Sequence, residues 1–232
     1  MAENEKLTDG FLIREEEKAI IQYKEYLDKL ADQNPPSSDI FSNKGEPHAS
    51  VLMGTLMSRT KERLDMYCKG LRPGILCGKN EGDHEGWEGA YWQEFKKFFQ
   101  ETIKSEKFGN ESIRILIQTK EYLEYAPFRV VRDALNDEAT ENKIKVHLIS
   151  EESERKIEKA LGGSEEKPQI NFAIFDGCAF RLEYESDSYR ALGSFNAPSW
   201  KDILTNIFNA AFQDKKAKDI TNDVRQLAPF IA

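Results

Sequence analysis

The chain alternates strands with amphipathic helices, and this alternation limits the fold more than any other feature of the sequence. The segment IRILIQT at 113–119 is nearly continuously apolar, which is typical of a strand in a sheet covered on both sides. The aromatic-faced helix YWQEFKKFFQETI precedes it, a helix that starts near Pro127 follows it, and the strand IKVHLI at 144–149 comes next. We therefore expect an α/β domain with a mixed sheet flanked by helices on both faces.

A three-strand meander and a closing helix complete this domain. The segment INFAIFDGCAFRLEY predicts strands at 170–176 and 179–184, joined at Asp176-Gly177. A third strand is expected at 189–193, and a helix with a buried apolar side at 198–212.

The two ends of the chain are predicted to lie outside the domain at 48–213. Residues 1–47 are expected to form an N-terminal helical extension, with an amphipathic helix at 11–31 and a linker. Pro35 and Pro36 end that helix because they lack backbone donors. Residues 214–232 are expected to be a loosely held tail.

The composition makes some classes of function less favourable. The 232 residues carry 33 lysines and arginines against 41 aspartates and glutamates, a formal net charge of -8. A field of this sign repels polyanions, so nucleic acid is a partner that the charge does not favour. No run approaches the roughly 18 apolar residues that span a bilayer, so we expect no membrane span and a cytoplasmic protein. The three cysteines contain no CxxC pair, which predicts reduced thiols.

The most specific motif spans the meander and the segment after it. Asp176 opens the turn, and Gly193-Ser194-Phe195-Asn196 precedes the last helix. Together they resemble one repeat of the phospholipase D superfamily, whose signature is His-x-Lys, four further residues and Asp, followed downstream by Gly-Ser-x-Asn. Counting back from Asp176 places Gln169 at the histidine position and Asn171 at the lysine position. The resemblance covers roughly residues 48–212 and implies a phospholipase D-like fold.

The resemblance implies a degenerate active site. In the family the histidine attacks phosphorus, while lysine and asparagine neutralise the nonbridging oxygens. Because glutamine and asparagine replace that histidine and lysine, the leading hypothesis is a module that binds, scaffolds or regulates without hydrolysis. Its small ligand or protein partner would contact Gln169, Asn171, Ser194 and Asn196. Two such sites face each other in the family, which implies a homodimer for a single-repeat chain.

Simpler interpretations and other functions are left open by the residues. A plain turn explains Asp176, and helix capping explains Ser194 and Asn196 equally well. A second hypothesis is a phosphodiesterase or nuclease with a displaced histidine, His147, on a strand expected beside the one that bears Asn171. A third is a generic α/β interaction protein. Strand order tests the third hypothesis against the first two. If the fold is phospholipase D-like, the strands that begin near 64, 113, 144 and 170 should share one sheet with the meander.

Two polar clusters complete the candidates. His84 lies in the acidic loop CGKNEGDHEGWEG, whose spacing matches no metal motif, so no metal site is predicted there; His84 is the other displaced-histidine candidate. His48 is expected to be a cap or a surface residue. A phosphate-binding rim or a solvated charged face explains the basic residues Arg59, Lys61, Arg63, Lys69 and Arg72. There is no Gly-rich phosphate loop, GxSxG or HExxH motif, so no cofactor is predicted.

Overall fold

One sheet organises the part of the chain that the computed structural model describes, namely residues 18–43, 45–71, 90–162, 170–185 and 190–229. Its strands are β1 Phe41–Asn43, β2 Leu64–Cys68, β3 Ile113–Ile117, β4 Ile144–Leu148, β5 Asn171–Phe175, β6 Ala179–Glu185, β7 Arg190–Ser194 and β8 Lys218–Asp219. They lie in the order β1-β7-β6-β5-β2-β3-β4-β8. The strands predicted near 64, 113, 144 and 170 therefore do share one sheet with the meander.

The strand directions define two ends of this sheet. β2, β3 and β4 are parallel, and we call the end at which they finish the carboxyl end and the opposite one the amino end. β5 is antiparallel to β2, so it starts at the carboxyl end and finishes at the amino end. β6 returns to the carboxyl end, and β7 runs back to finish at the amino end.

Helices cover both faces of the sheet. Their bounds are α1 18–31, α2 Glu46–Arg59, α3 Ala90–Gln100, α4 Ala126–Leu135, α5 Glu151–Ala160, α6 Pro198–Phe212 and α7 Thr221–Arg225. Side chains of α1 to α4 and α7 pack with the sheet into a core on the first face. Those of α5 and α6 pack into a separate core on the second face. The predicted fold class, a mixed α/β sheet flanked by helices on both faces, is confirmed.

Local sequence explains the two elements that matter most for the site. Every residue of β3 is buried, as a strand covered on both faces requires. At the end of β5, Asp176 and Gly177 have φ values of 49° and 63°, and Cys178 N donates to Phe175 O at 3.1 Å. Two successive left-handed residues make a type I′ turn, which Asp-Gly favours strongly.

The terminal segments are packed more tightly than the sequence predicts. Leu27 and Leu30 of α1 are buried in the first core, and β1 pairs with β7 inside the segment predicted as a linker. The expectation of a loosely held tail is wrong for residues 218–225, because β8 pairs with β4 and Val224 of α7 is fully buried. Propensity alone did not show this, since the segment is short and charged.

Within the described ranges, no helix combines the length and the apolar composition that crossing a bilayer would need. Cys68 and Cys178 form no disulfide, and Cys77 lies outside the described residues.

Candidate functional site

The structure separates the residues that the sequence groups into one pocket. Asn171 is the first residue of β5, at the carboxyl end, whereas Ser194 is the last residue of β7, at the amino end. The two also face opposite sides: Asn171 pairs with Glu183 on the first face, and Ser194 pairs with Phe180, which belongs to the second core. Asn196 follows Ser194, and Gln169 lies outside the described residues.

The strand count explains this separation. From Asp176 the chain runs along β6 to the carboxyl end and back along β7, so the Gly-Ser-x-Asn segment ends at the same end of the sheet as Asp176. The interpretation of Ser194 and Asn196 as caps is also wrong, because Ala197 is the N-cap of α6 and no side chain caps it. Instead, Asn196 N donates to Ser194 Oγ at 3.3 Å and Asn196 Nδ2 donates to Pro36 O at 3.3 Å.

The side chain of Asn171 is held at both of its polar atoms. Lys69 N, just beyond the end of β2, donates to Asn171 Oδ1 at 2.9 Å. Asn171 Nδ2 donates to Glu183 Oε1 on β6 at 2.7 Å. The Asn171 amide is therefore held by contacts within the protein.

Glu183 joins Asn171 to a buried ion pair. Arg181 Nη1 donates to Glu183 Oε2 at 2.8 Å, and the two side chains are only 6% and 3% exposed. Charges this deeply buried are costly unless they are paired and hydrogen-bonded, and here both carboxylate oxygens accept a hydrogen bond. On the next strand, Ala191 lies opposite Glu183 and Gly193 lies opposite Arg181, and the absence of a Cβ at Gly193 lets the Phe41 ring approach the sheet.

A transverse polar row follows from the register of the strands. Asn43 of β1 pairs with Ala191, Ala191 with Glu183, and Glu183 with Asn171. Asn43 and Glu183 are 1% and 3% exposed, whereas Asn171 is half-buried, so the row is buried from the edge strand to β6. We call Asn43, Asn171, Arg181 and Glu183, with Tyr23 and Tyr91 described next, the carboxyl-end cluster.

Two tyrosines add hydroxyl groups to this cluster. Burial raises the pKa of Tyr23 to about 12, and the positive charge of Arg181 opposes part of that shift. Burial also raises the pKa of Tyr91, on which the charges of Cys68, Arg181 and Glu183 act. The Tyr23 hydroxyl is buried and accepts or donates no hydrogen bond among the described residues. Both phenols therefore stay neutral at physiological pH and can donate to an acceptor.

Two helices begin beside the cluster. α2 follows β1 directly, and Tyr91 N in the first turn of α3 donates to Ser50 Oγ in α2 at 3.3 Å. His48, in the first turn of α2, contacts Tyr23 edge-on with ring centroids 4.7 Å apart. The N-cap of α2 is Gly45, so His48 is not a cap, and it lies half-buried on the cluster side.

Asp176 is a structural residue at the amino end. Its carboxylate accepts hydrogen bonds from the backbone N–H groups of Lys61, Glu62 and Arg63 at 2.8–3.1 Å. Asp176 N in turn donates to Arg63 O at 2.9 Å. These bonds join the β5–β6 turn to the segment between α2 and β2, which agrees with the interpretation of Asp176 as a turn residue.

His147 lies far from Asn171. Its strand β4 has β3 and β8 as neighbours, so the expectation that it lies beside the strand bearing Asn171 is wrong. Three strand spacings separate β4 from β5, about 14 Å. The imidazole stacks on Phe212 with ring centroids 4.0 Å apart, and its Nδ1 is 3.1 Å from Phe212 O. His84 lies outside the described residues, within which no three metal-ligating side chains cluster.

The basic residues do not form one rim. Arg59 pairs with Asp28 and Asp32 at the amino end, and Arg63 pairs with Asp65 there. Lys69 lies at the carboxyl end, where its backbone holds Asn171. Arg72 lies outside the described residues.

Sequence reasoning missed Arg181, Glu183, Tyr23 and Tyr91. On β6, Arg181 and Glu183 alternate with Phe180 and Leu182, a pattern typical of a strand with one solvated face. Arg181 and Glu183 are buried because β6 lies inside a sheet that helices cover on both faces. The alternation on β6 alone does not show this. The parity of the three predicted meander strands was already sufficient to separate Asn171 from Asn196.

No known family profile and no curated protein matches this sequence. Two solved structures are similar at low identity. TrmBL2, an archaeal chromatin protein described as showing a novel mode of DNA binding, gives a TM-score of 0.45 at 12% identity over 93% of this chain and 65% of that one. Nuc from Salmonella typhimurium, a phospholipase D family member, gives 0.44 at 11% identity over 78% of this chain and 98% of that one. This chain thus spans slightly less than two thirds of TrmBL2. Both TM-scores lie below 0.5, so the function proposed below depends on the contacts within this chain.

Proposed function

We propose that this chain is a binding module on a phospholipase D-like framework and that it does not hydrolyse phosphodiesters. The observation that carries the proposal is the closed network at Asn171. The Asn171 amide, at the position that the resemblance assigns to the family's lysine, is held by Lys69 N and by Glu183, and it offers no positive charge to a phosphate.

The charge of the cluster supports the same conclusion. Phosphoryl transfer depends on groups that neutralise the developing negative charge. The buried cation here, Arg181, is already neutralised by Glu183 at 2.8 Å. A cluster of paired charges, amides and neutral phenols suits a ligand that is recognised by hydrogen bonds.

The competing hypothesis, a hydrolase with a displaced histidine, is favoured by one contact. His48 lies against Tyr23 at the carboxyl end, whereas His147 is stacked on Phe212 several strands away. His48 is therefore the better candidate for that hypothesis, with His84 as the other.

Hydrolysis assays on purified protein separate the two hypotheses. We expect bis(p-nitrophenyl) phosphate and labelled single- and double-stranded DNA to be cleaved at the buffer rate by the wild type and by His48→Ala, His84→Ala and His147→Ala. Turnover that His48→Ala or His84→Ala abolishes, and that His147→Ala retains, would establish the hydrolase instead. The assays with labelled DNA also measure DNA binding, which the net charge of -8 opposes.

Ligand binding is tested by amide chemical shifts. Polar fragments that bind the carboxyl-end cluster should shift the backbone amides of Lys69 and Asn171, and Asn171→Leu should abolish the effect. Formation of a homodimer through the carboxyl end of the sheet stays a prediction. Light scattering coupled to size-exclusion chromatography measures the molar mass and so tests it.

A further inference from the structure

We infer that the second face of the sheet carries a separate site for a primary ammonium group, at the carboxyl end and beneath α5. Five polar side chains lie there, and they make almost no hydrogen bonds with one another: Tyr67, Lys69, Gln118, Glu154 and Glu158. We call them the α5 site. The carboxyl-end cluster lies on the first face, so the α5 site is additional to the site proposed above.

The strands place three of these side chains on one face of the sheet. Tyr67 of β2 is paired with Leu116 of β3, and both belong to the second core. The pairing continues beyond the ends of the strands, because Gln118 N donates to Cys68 O at 3.0 Å. Since side chains alternate between the two faces, Lys69 and Gln118 lie on the same face as Tyr67 and nearer the carboxyl end.

The Tyr67 hydroxyl is the inner end of the α5 site. The residue is fully buried, and its hydroxyl makes no hydrogen bond of ordinary geometry among the described residues. The Gln118 amide lies near the hydroxyl, but Gln118 Nε2 donates to Ile170 O at 3.3 Å. A buried hydroxyl without a partner costs free energy, and a ligand that bonds to it would explain why it is there.

Two glutamates of α5 lie beside this hydroxyl. Glu154 and Glu158 are about one helical turn apart, so they lie on the same side of α5, and both are half-buried. Burial and the charges of both glutamates raise the pKa of Tyr67, and Glu154 has the larger effect of the two. Neither carboxylate makes a hydrogen bond or an ion pair among the described residues. The helix therefore holds two like charges together, which opposes its stability.

The charges around the α5 site favour a cation. Burial and then the charges of Glu158 and Glu151 raise the pKa of Glu154, and the positive charges of Arg155 and Lys69 offset only part of this effect. Arg155 bonds to the exposed Glu151 at 3.4 Å. Lys69 makes no ion pair within the described ranges, so the carboxylates outnumber the cations that face them.

A primary ammonium group matches the α5 site better than a metal ion does. An ammonium carries three N–H donors, which two carboxylates and a phenol oxygen can accept. Calcium takes roughly six to eight oxygen ligands, and no three metal-ligating side chains cluster in the described part of the chain. An ammonium reaches the phenol from the side of α5, past carboxylates that no hydrogen bond holds in place. The ligand class is therefore a small primary amine.

Amide chemical shifts of the whole chain test the site. The probe is propylammonium chloride. It is compared with tetramethylammonium chloride, which has the same charge but no N–H donor, and with sodium chloride at equal ionic strength. We expect saturable shifts of the Gln118 and Glu154 amides with propylammonium alone. The amides of Arg181 and Glu183, in the carboxyl-end cluster, should not respond.

Glu154→Gln and Tyr67→Phe should each weaken propylammonium binding about tenfold, the effect of losing one hydrogen bond to a charged group. Glu124→Gln removes an exposed carboxylate at the same end of the sheet, so it is the matched control and should change nothing. Tyr67→Phe should also keep or raise the urea midpoint of unfolding, because it removes a hydroxyl that has no partner. A merely structural hydroxyl would lower that midpoint.

The titration of the unaltered chain comes first, so the test stands even if a variant does not fold. The inference is overturned if propylammonium shifts these amides no more than sodium chloride does, or if tetramethylammonium binds equally well. It is also overturned if Glu124→Gln weakens binding as much as Glu154→Gln, or if Tyr67→Phe lowers the urea midpoint. None of these results involves phosphodiester hydrolysis or the carboxyl-end cluster, so this inference and the proposed function fail separately.

Discussion

Asp176 and the carboxyl-end cluster, at opposite ends of the sheet, are held in different ways, although the amino end also contains a buried ion pair between Arg114 and Asp65. At the amino end, the carboxylate of Asp176 accepts only from backbone N–H groups and joins two segments of the chain. At the carboxyl end, Asn171, Glu183 and Arg181 bond mainly to one another and lie beside the first turns of two helices. A side chain that serves the backbone is explained by the fold alone. A buried side-chain network, which costs desolvation, calls for an explanation in terms of specificity or binding.

Breaking the buried pair should have the largest effect on stability. Arg181→Met or Glu183→Leu leaves an uncompensated charge in the core and should cost about 3–5 kcal/mol in the free energy of unfolding. The double variant should recover much of that loss, because it removes both charges. Urea denaturation measures all three.

An exposed ion pair on the surface is the control for these three variants. Arg155 and Glu151 are 77% and 89% exposed, so Arg155→Ala should change stability by less than about 0.5 kcal/mol. If Glu183→Leu cost as little, the carboxyl-end cluster would be solvated and its contrast with the amino end would disappear.

Removing the Asp176 carboxylate should have the next largest effect. Asp176→Ala loses the hydrogen bonds from three N–H groups to a charged carboxylate and keeps a Cβ at φ 49°, so we expect a cost of about 2–3 kcal/mol. Asp176→Gly loses the same bonds without the backbone strain and should cost about 1 kcal/mol less. Equal losses in the two variants would mean that the turn is not left-handed in solution.

Much of the fold was predictable because its signals are local. The apolar run of β3, the Asp-Gly turn and the helical periodicities each depend on a few neighbouring residues. The site was less predictable because it depends on strand order. Arg181 and Glu183 become a buried pair only when β7 and β5 flank β6. The separation of Asn171 from Asn196, by contrast, follows from the number of strands in the meander, which the sequence does predict.

The same limit applies to the chain ends. The segment at 218–225 is charged and short, and no periodicity marks it as structured. It is ordered because the outer edge of β4 offers unpaired backbone groups, to which β8 and Ile220 N bond. Tertiary pairing of this kind leaves little trace in local sequence.

The smallest expected effect is the loss of the Asp28 carboxylate, and its contribution to stability should depend on salt and pH. Burial opposes ionisation of Asp28, but the hydrogen bonds and charges of Lys24 and Arg59 outweigh it and lower the pKa of Asp28. A carboxyl whose folded pKa lies below its unfolded value near 3.9 contributes stability that is fully present above that value. The contribution is lost as the pH falls through the lower, folded pKa.

We therefore expect the difference in unfolding free energy between the wild type and Asp28→Asn to be largest near neutral pH and to shrink below about pH 4. Because Asp28 is 30% exposed, added salt should shrink it too, whereas the penalty of Glu183→Leu should be nearly unchanged by salt. Asp39→Asn, at an exposed aspartate near the same end, is the control. A salt-insensitive Asp28 penalty would show that the Asp28–Arg59 pair is as inaccessible to solvent as the carboxyl-end cluster, and burial would then not distinguish the two groups.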